Sequence, residues 1–407
     1  MTWFSFLREN AAFLLAGFLF AFTSSYGQTY FISLFASEMK GDFGLSDGQW
    51  GGIYTIGTTV SAIAMVWAGA LTDRFRARSL AVWVMIGLAL ACLAMAVVPN
   101  AVVLIGVIFA LRVFGQGMMS QLSAVSMARW FEATRGRALS IASMGFSVAQ
   151  AILPVIFVAL LAVVAWRSLW VLAAVLVVLT IPLQLRLLRL ERTPSSMAAA
   201  NQSAGMNGRH WTRAQVLRSP LFWLMVPVLL GPPAWGTALF FQQVHLTEVK
   251  GWELVSYVAL MPLFTITAIV ATFASGSVID RVGVHRLIPF YMLPFALSFL
   301  ILAYAQTIGQ AAIGLVVFGL GQGMQSTVPA SFWATFFGTR HLGSIKATAA
   351  AVMVFGSAIG PGVTGALIDF GITFPEQMIS IAVYFVFAGL CATVGIFRFQ
   401  SALVATA

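Results

Sequence analysis

Residues 101–125 read AVVLIGVIFALRVFGQGMMSQLSAV, and in this run of 25 only Arg112 carries a charge. As an α-helix such a run extends about 38 Å at 1.5 Å per residue. A bilayer core of about 30 Å needs about 20 apolar residues to be crossed. Lipid supplies no hydrogen-bond partners, so a span must satisfy its own backbone, and a helix does so within one segment. The stretch therefore reads as a membrane-crossing helix. Working outward, twelve runs of this kind follow one another: 10–34, 50–71, 79–98, 101–125, 138–162, 168–190, 219–243, 253–276, 287–305, 308–332, 346–368 and 377–398. Pro154, Pro227, Pro232, Pro233, Pro262 and Pro361 fall inside them. Prolines that break soluble helices are tolerated in membrane bundles, where neighbouring groups re-satisfy the freed backbone.

Composition agrees. The chain is 60% hydrophobic and 8% charged, against about a quarter charged in soluble domains, so water cannot be the solvent for most of its surface. The net charge of +10 does not mark a nucleic-acid binder. Such proteins gather basic residues on one soluble face, whereas here they sit in short clusters between apolar runs. Cys92 and Cys391, each inside an apolar run, leave no disulfide or thiol-metal framework. No cleavable leader is expected, because the chain passes from Arg8 straight into a long apolar stretch. No Walker A or HExxH pattern occurs, so neither an enzyme nor an ATP-driven pump is expected, and no cofactor or metal is called for. Gly360-Pro-Gly-Val-Thr-Gly365 matches GxGxxG but lies inside an apolar run with no preceding strand, so it is not read as a dinucleotide site.

Orientation follows from Lys and Arg. With the N-terminus inside, 18 of the 22 basic residues fall on the inner side. The outer side holds Lys40, Arg167 and Lys250, and Arg112 lies within a span. Both termini are accordingly expected in the cytoplasm. The longest loop, 191–218, is rich in Ser, Ala, Asn and Arg and reads as a flexible cytoplasmic linker. It separates an N-terminal six-helix half (1–190) from a C-terminal one (219–407).

The two halves repeat. Gly69-Ala-Leu-Thr-Asp73-Arg74 returns as Gly276-Ser-Val-Ile-Asp280-Arg281, offset by 207. Gly115-Gln-Gly-Met118 returns as Gly321-Gln-Gly-Met324, offset by 206, and Pro154 returns as Pro361. A near-constant offset indicates an internal duplication.

These residues carry a resemblance. Gly69-x-Leu71-x-Asp73-Arg74-x-x-x-Arg78 resembles the loop signature of the major facilitator superfamily, and Arg112 with Gln116-Gly117 resembles its second motif. The glycine usual after Asp-Arg-x is replaced by Arg76 in the first copy and present as Gly283 in the second. The resemblance spans the whole chain. It implies an all-α membrane protein of twelve transmembrane helices in two pseudo-symmetric halves, working as a monomer in a bacterial inner membrane. Residues 338–346 and Tyr26-Gly-Gln-Thr-Tyr30 are similar to bacterial organic-anion and monocarboxylate porters of that superfamily, with its riboflavin importers as another relative.

What the resemblance implies about roles can be set beside simpler readings. Asp73, Arg74, Arg78, Asp280 and Arg281 are gating candidates, because carboxylates there can face a helix N-terminus and nearby arginines. The plainer reading is a solvated loop charge. Arg112 is either an anchor for a substrate carboxylate or polar ring edge, or a brace holding span four against the polar groups of span one. A buried guanidinium in lipid needs one or the other. All twelve acidic residues fall at span ends or in loops, so no mid-membrane carboxylate relay is expected. The remaining polar residues within spans are neutral. Tyr26, Gln28, Tyr30, Gln116, Gln322, Gln325 and Trp333, with Arg112, are the substrate-binding candidates, expected near the membrane midplane between the halves. Many also suit plain inter-helix hydrogen bonding.

The expected function is secondary active or facilitative import, by symport or uniport and alternating access, of a small polar organic solute: an organic anion, a monocarboxylate or a riboflavin-like vitamin. The alternatives are an efflux antiporter for drugs or metabolites and, in another class, a non-transporting receptor or assembly factor. The solute and the lipid bilayer are the expected partners, with no nucleic acid. A gating role for Asp73 predicts that Asp73→Asn slows transport in proteoliposomes with little change in substrate affinity; normal turnover at equal protein level would contradict it.

Overall fold

The structure is a computed structural model that describes residues 3–69, 71–131, 135–189, 204–338 and 340–403. Among the described residues every regular element is helical. The principal helices are α1 (Trp3–Thr23), α2 (Asp47–Ala68), α3 (Ala77–Ala96), α4 (Ala101–Leu111, continued through a π-helical segment, Arg112–Met119, into Ser120–Trp130), α5 (Arg135–Leu161) and α6 (Trp166–Leu187). After these come α7 (Pro220–Phe241), α8 (Met261–Val282), α9 (Leu293–Tyr304), α10 (Ile308–Phe337), α11 (Leu342–Asp369) and α12 (Phe374–Phe399).

Eleven helical stretches among the described residues are long and apolar enough to cross a membrane. α2 is not one of them. It has 22 residues. Several helices start where short polar residues can take up free backbone N–H groups. Ser46 and Gln49 form a reciprocal capping box at α2, Asn100 accepts from the amides of Val102 and Val103 at α4, and Thr307 with Gln310 caps α10.

The chain divides into two compact units, Met1–Met197 and Ala198–Ala407. Within the first, α1 packs on α5, α2 on α4 and α3 on α6; within the second, α7 packs on α11, α8 on α10 and α9 on α12. The pairing is the same in each unit, and the repeated Gly-Gln-Gly motif has a matching role in both. A Cβ on Gly117 would come within 2.5 Å of the Met65 sulfur on α2, and one on Gly323 within 2.4 Å of the Ala268 carbonyl oxygen on α8. At Gly323 the obstacle is backbone, so this glycine is what allows α10 to lie so close to α8, whereas at Gly117 it is the flexible end of a methionine.

The basic residues at Lys40, Arg167 and Lys250 are tied into the loops around them. Lys40 pairs with Asp47 at 2.8 Å. Arg167 donates to the carbonyls of Ala96 and Val98 and lies 3.4 Å from Asp42, whose carboxylate also accepts from the Trp166 indole. Lys250 donates to the Ala303 carbonyl at 2.6 Å.

Two expectations need correction. Residues 10–34 are not one helix: α1 ends at Thr23, a 3-10 turn covers Ser24–Gly27, and Gln28 is extended (φ −89°, ψ 151°) before the short helix Thr29–Ile32. Nor do residues 204–218 form the flexible linker expected for them. Residues 204–218 are folded: the Trp211 amide donates to the Phe337 carbonyl, its ring meets Phe337 edge-on at 5.6 Å, and Arg213–Arg218 form a helix behind a Thr212–Gln215 capping box. One tryptophan, with Met206 and Val216 both buried, anchors a segment whose other residues look like linker. Residues 190–203 lie outside the described residues, as do the side chains of Asp73, Arg74 and Asp280 from the gating set.

Close approach at the repeated glycines predicts that Gly323→Ala lowers stability by about 1–3 kcal/mol through overpacking. Gly106→Ala, where a new Cβ meets nothing within 4 Å, is expected to be neutral or to stabilise by up to about 1 kcal/mol. Thermal denaturation of the detergent-solubilised protein reads both; equal melting temperatures for the two variants would refute the packing argument.

Candidate functional site: a neutral polar cavity in the first unit

The break in span one and the π segment of α4 face each other. A Cβ on Gly27 would lie 2.1 Å from the Leu111 carbonyl oxygen, and one on Gly115 would lie 2.6 Å from the Gly27 Cα. Only glycine at both positions permits this crossing. Both helices depart from α geometry at the crossing, one into a 3-10 turn and the other into a π-helix. Such departures free backbone groups and re-aim side chains, and π segments are often found at functional sites.

Arg112 opens the π segment and is 2% exposed. Its Nη1 donates to the Gly27 carbonyl and to Thr29 Oγ1, both at 3.3 Å. The guanidinium lies 5.4 Å from the centre of the Tyr54 ring, and the Tyr54 hydroxyl is hydrogen-bonded to Thr29 Oγ1. No carboxylate among the described residues pairs with Arg112. The cation is held instead by a carbonyl, a hydroxyl and a π face, which compensate part of its desolvation.

Beside this crossing lies a cavity of about 400 Å³, within the size range of small-molecule sites, about 300–1,000 Å³. Ser24 and Gln28 line it from span one, Gln116, Ser120 and Ser123 from α4, and Ser143 and Phe146 from α5. No ionisable side chain is among its described lining residues. The hydroxyls of Ser24, Ser123 and Ser143 donate to the carbonyls of Ala21, Gly17 and Ser140. Their protons are thereby taken up by helix backbone; Ser24 is fully buried, so of the three the oxygens of Ser123 and Ser143 are those a solute can reach as acceptors. Gln28 and Gln116 bring amides that can donate and accept.

The expected site residues separate accordingly. Gln28 and Gln116 line the cavity. Tyr30 is buried behind it, edge-on to the lining Phe146 at 5.7 Å. Arg112 stands behind the wall, not in it. Tyr26 belongs to an aromatic core, meeting Phe31 at 5.2 Å and Phe157 at 6.4 Å. In the second unit, Trp333 is 2% exposed and packs among Phe222, Phe332 and Phe337. Gln322 is half-buried on α10. Gln325, also on α10, has amide atoms screened from solvent and without a partner among the described residues. Of the gating candidates, Arg78 is exposed at the start of α3, and Arg281 lies in the last turn of α8.

Sequence inspection did not single out Ser120, Ser123, Ser143 or Phe146. A signal for them exists: Gln116, Ser120 and Ser123 share one face of α4 at spacings of four and three, as Ser143 and Phe146 do on α5 at a spacing of three.

The sequence matches the family model of the Major Facilitator Superfamily over residues 16–361, with a second match over 257–402. The chain belongs to the major facilitator superfamily. It is a multi-pass integral membrane protein and a transporter, not an enzyme. No curated protein sequence matches it. Among solved structures, a bacterial homolog to the human lysosomal transporter Spinster is similar in two forms. The inward-facing, unoccupied form has 16% identity and a TM-score of 0.70 over 98% of this chain and 99% of that one. The inward-facing, occupied form has 15% identity and a TM-score of 0.71 over 97% and 98%. The nucleoside transporter NupG, as an aspartate-to-alanine mutant, gives 15% identity and a TM-score of 0.66 over 96% and 99%. At these identities the likeness is one of fold.

In this facilitator the geometry around Arg112 is that of a brace. Arg112→Lys replaces a planar fork by a point donor and is expected to cost stability by about 1.5–3 kcal/mol, the range for hydrogen bonds to charged groups. An unchanged melting temperature in detergent would show that the contacts to Gly27 and Thr29 carry no energy.

Proposed function

We propose that this transporter imports a small, uncharged, hydroxyl- or amide-bearing solute, and that Gln28 and Gln116 contact it directly. One observation carries the reading: among the described residues the 400 Å³ cavity is lined by four serines, two glutamines, Phe146, Leu139 and three alanines, and by no ionisable side chain. The oxygens of Ser123 and Ser143, whose protons point into helix backbone, accept hydrogen bonds from solute O–H or N–H groups. The amides answer the solute's acceptors, and the Phe146 face takes an apolar or ring portion. A carboxylate would meet these serine oxygens without a counter-charge, and such a pairing is unfavourable in a desolvated site. Of the two substrate classes expected above, a neutral ring-bearing vitamin fits this chemistry better than a monocarboxylate.

Two further elements belong to the proposal. α2, with its capped start and 22 residues, is the twelfth span, its polar residues facing α4 and not lipid. The asymmetry of Lys and Arg places both termini in the cytoplasm. With no acid or histidine lining the cavity, transport is facilitative or is coupled elsewhere in the chain.

The test is a thermal-shift and binding screen of the purified protein against riboflavin, uridine and lactate. A neutral compound is expected to stabilise the protein and lactate is not. Gln116→Ala and Gln28→Ala should each weaken binding about five- to tenfold, the worth of one hydrogen bond, while Trp333→Phe leaves it unchanged. Binding of lactate alone, or indifference to both glutamine replacements, would overturn the assignment.

A further inference from the structure

A second cavity, of about 420 Å³, lies in the first unit between the N-terminal end of α3 and the C-terminal end of α6. Its chemistry is the opposite of the serine-lined one. Arg76, Arg78 and Arg189 surround it, Ser79 adds a hydroxyl, and no carboxylate is among its described lining residues. Guanidinium groups around one cavity attract anions, and their planar forks match phosphate oxygens in pairs; Arg78 also has a partner within the protein. The first turn of α3 adds to this, because the dipole of the 20-residue helix is positive at that end.

The floor shows what kind of anion fits. It is apolar, made by Val82, Leu185 and the fully buried Leu188. At its edge Trp83 is 70% exposed, the placement of an indole at a membrane–water boundary. From Trp83 an exposed apolar stripe continues down α3 through Ile86, Leu90 and Leu93, and Leu183 and Leu179 stand exposed on α6, its packing partner. The spacing of three and four residues keeps the α3 stripe on one helix face. A free phosphate would use the arginines and leave the rest without purpose. A molecule with a phosphodiester head and two acyl chains uses all of it, head among the arginines and chains along the apolar faces. Basic pockets between membrane helices are suited to such headgroups.

We infer that the cleft between α3 and α6 is a binding site for an anionic glycerophospholipid of the surrounding membrane. The inference does not depend on the transported solute, since the two cavities share no lining residue.

Native mass spectrometry of the intact protein tests it, with phosphatidylglycerol, phosphatidylcholine and inorganic phosphate as probes. Phosphatidylglycerol is expected to be retained in preference to phosphatidylcholine. The double variant Arg76→Gln/Arg189→Gln is expected to bind it roughly 30-fold more weakly, at about fivefold for each basic residue lost near a membrane surface. Arg209→Gln/Arg213→Gln, which removes two exposed arginines elsewhere, should leave binding unchanged. Trp83→Ala should shorten lipid retention without altering binding of inorganic phosphate. Equal retention of the two lipids, full competition by millimolar inorganic phosphate, or undiminished binding by the Arg76/Arg189 variant would each overturn the assignment.

Discussion

The first unit is organised by the contact between two backbones at Gly27 and Gly115. With no side chain at either position, span one and α4 approach until the Leu111 carbonyl oxygen occupies the space a Gly27 Cβ would need. So close a crossing is incompatible with two regular α-helices carrying full side chains. Span one gives way to a 3-10 turn and an extended residue, and α4 to a π segment. Arg112 then caps the opened backbone of span one through the Gly27 carbonyl and Thr29. The brace and the break are one feature, because the carbonyl that accepts from Arg112 is free only because the helix is interrupted there.

The neutral cavity follows from this arrangement. Interrupting span one at Ser24–Gly27 turns Gln28 toward the same space as Gln116, which sits in the middle of the π segment. The charge needed to hold the interruption is kept behind the wall, so the space in front contains none. A buried cation facing the cavity would favour carboxylates strongly and would hold a bound anion tightly. A transporter must also let its solute go, and a wall of serines and amides binds by several modest hydrogen bonds that water can replace. The lipid cleft proposed at α3 and α6 follows the reverse logic, with its arginines grouped at helix ends above an apolar floor.

How far the sequence led differs by level. Helix character and position were legible because lipid allows few backbone solutions, so apolar length alone marks the helices. The internal repeat was legible too, since Gly-Gln-Gly and the Asp-Arg loops recur at nearly one offset, and the second glycine packs in corresponding fashion in each unit. The interruption of span one was not seen, because Tyr26-Gly-Gln-Thr-Tyr30 carries no proline and a lone glycine inside an apolar run does not reveal what crosses it. The fold of residues 204–218 was missed for a similar reason. A polar, Ser- and Arg-containing segment reads as linker, and only the docking of Trp211 on Phe337 shows otherwise.

By itself, the sequence determined that this chain is a helical membrane protein with a duplicated architecture and one charged residue deep in a span. Those properties depend on composition and spacing along the chain, which lipid solvation reads directly. Tertiary structure decided which polar residues meet. It moved Tyr26 and Trp333 into aromatic cores, set Arg112 behind the wall, and grouped Gln28, Gln116 and four serines around one space. The reason is geometric. A helical residue's neighbours along the chain are fixed by its period, but the partner it meets across a crossing depends on where two backbones can touch, and here glycine at 27 and 115 decided that.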